Sequence, residues 1–356
     1  MPSQRPAAAS QHIAIVGAGM AGIVCARTLV QAGHRVTVFE KEATAGGRMA
    51  TRSTPFGTFD AGAQYFTVRD ARFVRALQTT PALSKPWSAN AVRVLDALGR
   101  VAEAALPARE PHWVGVPGMS ALPRHWAQPL VERRSVEFET QVMRIERDAL
   151  DPKRWQLRTA GTQGAEDAQH VFSGFDAVLL AQPNAQAHGL LQNSQQASQL
   201  VRRLASVQVA PCWTLMLAFP QAVQPALAHI GPQWNAARST HHRIAWLARE
   251  SSKPGRALVE RWTVQASAAW SQEHLEDDAP RVQAKLLKAF AEVTGVRAEP
   301  AHAEVHRWRH AQTQVPLGVS HLWDAKARIG ACGDWCLGHR VENAFISGLE
   351  LALAVA

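Results

Sequence analysis

Tyrosine occurs once in this chain of 356 residues, and cysteine only four times. Four cysteines at irregular spacing exclude a disulfide-stapled scaffold and suit reduced thiols in a cytoplasmic protein. Metal ribbons usually carry Cys-x2-Cys pairs in duplicate. Here Cys332 and Cys336 are separated by three residues, while Cys25 and Cys212 stand alone, so no metal site is expected. No apolar run is long enough to span a bilayer, which speaks against a membrane protein. Runs of lysine and arginine are missing too: 38 basic side chains against 29 acidic ones are scattered along the chain. Without a concentrated patch or a known module, a nucleic-acid partner is not expected. The net charge of +9 suits solubility and attraction for an anionic small molecule, such as a phosphate-bearing nucleotide.

What is present is a chain long enough for two domains and, at 47% hydrophobic residues, able to fill a core without staples. Its first twelve residues, MPSQRPAAASQH, are polar and read as a loose tail. The apolar stretch that follows is not a signal peptide, because glycines recur in it at fixed spacing and no small-residue cleavage site follows. Residues 12–40, HIAIVGAGMAGIVCARTLVQAGHRVTVFE, pack strand, glycine turn, helix and strand in succession. In such a unit Gly17 permits the tight turn, Gly19 lets backbone approach a pyrophosphate, and Gly22 allows the helix to pack closely on the sheet. Amides at the helix start, around Met20 and Ala21, can bind phosphate. Glu40 closes the second strand, where a carboxylate accepts hydrogen bonds from an adenosine ribose. This motif alone leaves NAD and FAD equally open.

Two further motifs select flavin. KEATAGGRMATR follows at once, with Gly46 and Gly47 allowing close approach to a pyrophosphate and Arg48 offering a planar fork for its oxygens. Near the end, IGACGDW reads as a short buried strand closing on Gly333 and Asp334, an acceptor for ribityl hydroxyls. The helix after it, VENAFISGLELA, carries Ala344, Gly348 and Ala352 at four-residue intervals, a small-residue face for a close neighbour. Its N-terminus can stabilise negative charge on a reduced flavin.

These glycine, Gly-Gly-Arg and Gly-Asp motifs resemble those of the flavin amine oxidase superfamily. DAGAQYFTVRD (60–70), WVGVPGMSAL (113–122), WLARESSKP (246–254) and CGDWCLGHRVENAFISG (332–348) look like bacterial renalase-like proteins over nearly the whole chain from Ile13. The resemblance implies an α/β protein, with a Rossmann-like FAD-binding domain and an interleaved mixed-sheet substrate domain. Residues 12–75, 116–184 and 325–356 are assigned to the first, and 76–115 and 185–324 to the second. It implies FAD bound noncovalently, with Lys41, Gln64, Tyr65, Val142 and Val341 joining Gly17, Gly19, Met20, Ala21, Gly22, Glu40, Gly47, Arg48, Gly333, Asp334 and Ala344 as cofactor contacts. The implied activity is oxidation of 2- and 6-dihydro isomers of NAD(P)H to NAD(P)+, with oxygen as acceptor and hydrogen peroxide as product.

Hydride transfer to a flavin needs positioning more than acid–base machinery. Tyr65 stands where the resemblance places a pocket tyrosine, and Trp308 where it places a pocket tryptophan. Gln265 replaces the family's histidine, Glu250 its asparagine, and Asn343 its usual glycine, which bears on the exact substrate. The alternatives are an amine oxidase or other flavin oxidoreductase on the same fold, and a flavin-bound redox sensor without turnover. Amine oxidases commonly sandwich their substrate between aromatic rings, often tyrosines, and a single tyrosine weakens that alternative. Further strands are expected at 135–148, 175–183, 212–219, 243–249, 257–266 and 304–312. Residues 276–295 read as a helix with Leu286, Leu287, Phe290 and Val293 on its apolar side. His302, His306 and His310 recur every fourth residue, but their segment reads as a strand, so they are expected to be surface or pocket-wall residues.

Overall fold

The computed structural model describes residues 9–87, 92–103, 110–161, 169–223 and 234–356. Residues 1–8 of the expected tail lie outside these. The remainder of the tail is tied down: Ser10 Oγ donates to the Gly33 carbonyl at 2.8 Å, and His12 already opens the first strand. The chain divides into two compact units. The first comprises residues 1–47, 123–208 and 315–356, and the second residues 48–122 and 209–314. Residues 48–75 and 116–122, assigned from the sequence to the first domain, thus cluster with the second unit, and 185–208 and 315–324 with the first.

The first unit is built on a six-stranded sheet in the order Leu322–Asp324, Ile329–Ala331, Ala177–Leu180, His12–Val16, Arg35–Phe39, Val136–Glu137. All neighbours are parallel except the Leu322–Asp324 edge strand. The central strands are continuous apolar runs because both of their faces are covered. The helices Met20–Gln31 and Val341–Val355 pack together, and their approach depends on Gly348: a Cβ there would lie 2.1 Å from the Ala21 carbonyl oxygen. The alternating segment 135–148 is not one strand. Val136–Glu137 joins the parallel sheet, Glu139 turns the chain at a φ of +53°, and Thr140–Arg147 opens a separate three-stranded antiparallel sheet.

The second unit carries a seven-stranded mixed sheet in the order His302–Val315, Gln208–Phe219, Glu260–Ala266, Ile244–Arg249, Ala236–Ser239, Val92–Leu95, Val101–Glu103. Strand alternation divides its residues between two faces. Trp213, Leu215, Leu217 and Phe219, with Trp262 and Val264, form the core against the Ala279–Thr294 helix, whose Leu286, Phe290 and Val293 are buried and whose Leu287 is partly so. Asp278 caps that helix and Gly295 ends it in the left-handed region, the sequence signals of a helix bounded at both ends. The opposite face presents Thr214, Met216 and Ala218, with Arg261, Thr263 and Gln265 paired across from them. Segment 57–66, which carries Tyr65, is bonded to that face.

Candidate active site

The first unit supplies a dinucleotide cradle. Gly17 sits at a φ of +108°, and a Cβ there would lie 2.9 Å from the Ala181 carbonyl oxygen. At Gly22 a Cβ would come within 1.9 Å of the Gly17 oxygen. Both glycines are thus required by the fold. Gly19 is different, because a Cβ there would meet nothing within 4 Å. The Met20–Gln31 helix begins at Gly19 with no side-chain cap and no acidic residue in its first turn. Its leading amides, those of Met20 and Ala21 included, have no acceptor within the helix, and its positive end is not neutralised locally. Glu40 is buried, with Oε2 accepting the Ala18 N–H at 2.7 Å and Oε1 the Glu42 N–H at 3.0 Å. Burial raises its pKa above the ordinary value, and each oxygen retains acceptor capacity. Gly47, at a φ of +54°, brings the second glycine turn against the first: a Cβ there would lie 3.2 Å from the Gly19 Cα. Open space, uncapped amides and an anchored carboxylate are what a pyrophosphate and its ribose require. The residues present fit a dinucleotide.

The C-terminal motif completes this unit. Cys332 extends the Ile329–Ala331 strand by donating its N–H to the Leu180 carbonyl at 2.9 Å, and the Gly333 N–H donates to Ser347 Oγ at the same distance. Asp334 follows and is buried. The Val341–Val355 helix has no side-chain cap at Arg340. Glu342 nevertheless sits buried in its first turn, so an acidic group shares the helix end expected to stabilise a reduced flavin. Val341 opens that helix and Ala344 is half-buried on it. Val142 is buried where the ladder with Trp155–Gly161 slips its register. Lys41 is exposed, 3.6 Å from Glu42 Oε1. Cys25, Cys332 and Cys336 are fully buried. The neighbouring Cys25 thiol and burial push the Cys332 thiol well up, and burial does the same for Cys336. Thiols held in this way are neither nucleophiles nor ready ligands.

The second unit gathers the remaining candidates around segment 57–66. Gln265 Nε2 donates to the Gly62 carbonyl, and Trp308 Nε1 to the Ala61 carbonyl, both at 2.8 Å. The Ala63 N–H bonds to the Arg48 carbonyl at 2.9 Å, an approach so close that a Cβ at Gly62 would lie 2.0 Å from that oxygen. The Arg48 guanidinium donates to the Ala311 carbonyl at 3.3 Å. Gln64 is buried, its amide nitrogen donating to the Asp60 and Gly62 carbonyls. The Tyr65 ring stands 5.5 Å from that of Trp246. Gln265 and Trp308 thus orient the tyrosine segment through its backbone.

Glu250 lies in a fully buried ionic cluster. Lys253 Nζ donates to Glu250 Oε1 at 2.8 Å, to Asp60 Oδ2 at 3.0 Å and to Gln64 Oε1 at 3.2 Å, and Arg256 reaches Asp60 Oδ2 at 2.6 Å. Thr263 also donates to Glu250 Oε1, while Oε2 has no hydrogen-bond partner among the described residues. Burial raises the Glu250 pKa, and the Lys253 charge opposes that rise. Sequence reasoning singled out Glu250 but missed Asp60, Lys253 and Arg256. Their signal was charge inside otherwise apolar or glycine-bearing stretches, in TFDAGAQ and ESSKPGR. The histidines at 302, 306 and 310 do lie on one strand, His302–Val315. Four-residue steps set them about 13 Å apart, too far to share an ion.

Two family profiles match the chain: an NAD(P)-binding Rossmann-like domain over residues 15–78, and a flavin containing amine oxidoreductase over residues 103–356. YobN of Bacillus subtilis is 46% identical over 63 residues, 17% of this chain. The flavin-containing monooxygenase FMO GS-OX-like 7 of Arabidopsis thaliana is 28% identical over 162 residues, 45% of this chain. The chain spans only 12% and 33% of the length of these two relatives. A putrescine oxidase triple mutant superposes with a TM-score of 0.70 over 97% of this chain and 98% of that one. At 11% identity this is a likeness of fold.

Proposed function

The chain belongs to the family of flavin-containing amine oxidoreductases, and we propose that it oxidises the 2- and 6-dihydro isomers of NAD(P)H, with noncovalent FAD as cofactor and oxygen as acceptor. The reading is supported by the motifs around Tyr65, Trp246 and Asp334. One observation carries it: Gln265 and Trp308 commit their N–H groups to the carbonyls of Gly62 and Ala61, and so act as positioning groups. A dihydropyridine gives up hydride without prior loss of a proton, so its oxidation asks for orientation and not for a base. The chemistry FAD supplies when bound is two-electron transfer, taking a hydride to leave NAD(P)+ and passing the electrons with protons to oxygen as hydrogen peroxide.

In this reading Gly17, Gly19, Gly22 and the amides of Met20 and Ala21 hold the pyrophosphate, and Glu40 the adenosine ribose. Asp334 accepts from the ribityl chain. Lys41, Gly47, Arg48, Gln64, Tyr65, Val142, Gly333, Val341 and Ala344 complete the proposed cofactor contacts. Tyr65 and Trp308 confine the substrate ring. Glu250, through Oε2, accepts from its amide. Oxidation of an amine is the second reading, favoured by the family's own description. Oxygen uptake with a panel of 2-, 4- and 6-dihydronicotinamide nucleotides and primary amines decides between them. Uptake with the 2- and 6-isomers supports the proposal, and uptake with amines alone overturns it.

A further inference from the structure

Tyr65 is flanked by two rings to which no motif assigned a role. The His112 ring lies 4.1 Å from it, centroid to centroid and tilted by 40°, and the Trp246 ring lies 5.5 Å away at 38°. The arrangement is fixed by backbone: the N–H groups of Phe66 and Trp113 each donate to the other's carbonyl at 2.8 Å, setting Tyr65 beside His112. Trp246 is only 9% exposed, yet its Nε1 has no hydrogen-bond partner among the described residues, and neither has the buried Nδ1 of His112.

We infer that His112, Tyr65 and Trp246 form the face on which the substrate ring is laid, and that the unpaired indole N–H of Trp246 selects an uncharged ring bearing a carboxamide over a protonated amine. The inference deepens the dihydronicotinamide reading and rests on it. An indole N–H is a donor only, so a carbonyl oxygen satisfies it and an ammonium group, all donor, does not. Burial and the Arg238 guanidinium lower the His112 pKa, so this neighbour is itself a neutral ring. The charges nearby are already matched. Among the described residues of this unit, the buried carboxylates Asp60 and Glu250 are paired with Lys253 and Arg256, and Glu260 with Arg249. Glu250 Oε2 alone among these carboxylate oxygens is unpartnered, and the charge of its carboxylate is already matched by Lys253.

Benzamide and benzylamine share a ring and differ in having or lacking the carbonyl, and calorimetric titration of each into the flavin-loaded full chain tests the inference. Benzamide is expected to bind at least about tenfold more tightly, and Trp246→Phe, which keeps a ring and removes the N–H, to weaken benzamide by about tenfold while leaving benzylamine unchanged. Equal or tighter binding of benzylamine to the unmodified protein overturns the inference whether or not the variant folds. So does a Trp246→Phe protein of unchanged melting temperature that keeps full benzamide affinity. If benzamide behaves as expected while dihydronicotinamide isomers are not turned over, the substrate assignment falls and the recognition face stands.

Discussion

Lys253 and Asp60, 193 residues apart in the chain, meet at 3.0 Å with both side chains fully buried. Around them Glu250, Arg256 and Gln64 close a cluster in which two cations face two carboxylates. Asp60 further accepts from Thr51 Oγ1 and the Met119 N–H, each at 2.9 Å. The cluster therefore ties the segment that carries Tyr65 to the turn after the Ile244–Arg249 strand.

Lys253→Met is expected to strand the Glu250 carboxylate, while Asp60 keeps Arg256, and to destabilise the protein by about 3–5 kcal/mol, the cost of breaking a buried ion pair. Adding Glu250→Gln should recover part of that loss, because the two changes share one interaction. Urea unfolding of the single and double variants measures both effects, and additive losses would show that the pair is not coupled.

Gly19→Ala and Gly22→Ala should behave differently. A methyl at Gly19 enters open space, so the apo protein should keep its melting temperature while losing flavin retention. A methyl at Gly22 collides with the Gly17 carbonyl and should lower the stability of the apo protein itself. Thermal melts beside flavin absorbance separate the two. A Gly19→Ala protein with full flavin content would move the pyrophosphate away from this turn.

Asp334→Ala should weaken FAD retention by about 1.5–3 kcal/mol, the range for a hydrogen bond to a charged group. Cys332→Ser and Cys336→Ser should leave turnover in place, since these thiols are buried and held protonated. Acid denaturation should release free FAD, and flavin that stays on the polypeptide would identify a covalent link.

The histidine at 306 should resist protonation. Burial and then the Arg52 guanidinium, whose Nη2 lies 2.8 Å from His306 Nδ1, lower its pKa from 6.5 to about 4. With the folded value depressed, its contribution to stability is complete above pH 6.5 and is lost as the pH falls through 4. Ring-proton NMR, with His306→Gln for assignment, should give a midpoint near 4. A midpoint at the ordinary value would mean that the ring is not enclosed with Arg52.

The local elements were legible because their signals are local. Glycine spacing located the cradle at 17–22, and the strands expected at 212–219 and 257–266 overlap the observed Gln208–Phe219 and Glu260–Ala266. The capped, 3.6-periodic Ala279–Thr294 helix was equally plain. The break at Glu139 escaped notice because alternation continues through it and only a positive φ in a non-glycine residue marks the turn. The ionic cluster and the His112–Tyr65–Trp246 wall were illegible for another reason. Each is assembled from segments far apart in sequence, and periodicity carries no information about such pairings.

The most direct test of the proposed activity is anaerobic rapid mixing of the flavin-loaded protein with 6-dihydro-NAD(P), followed at the visible band of the oxidised flavin. Single-turnover bleaching faster than steady-state turnover, with NAD(P)+ formed in equal amount and no bleaching by primary amines, is the result expected. Bleaching by an amine but not by either the 2- or the 6-dihydro isomer would contradict it.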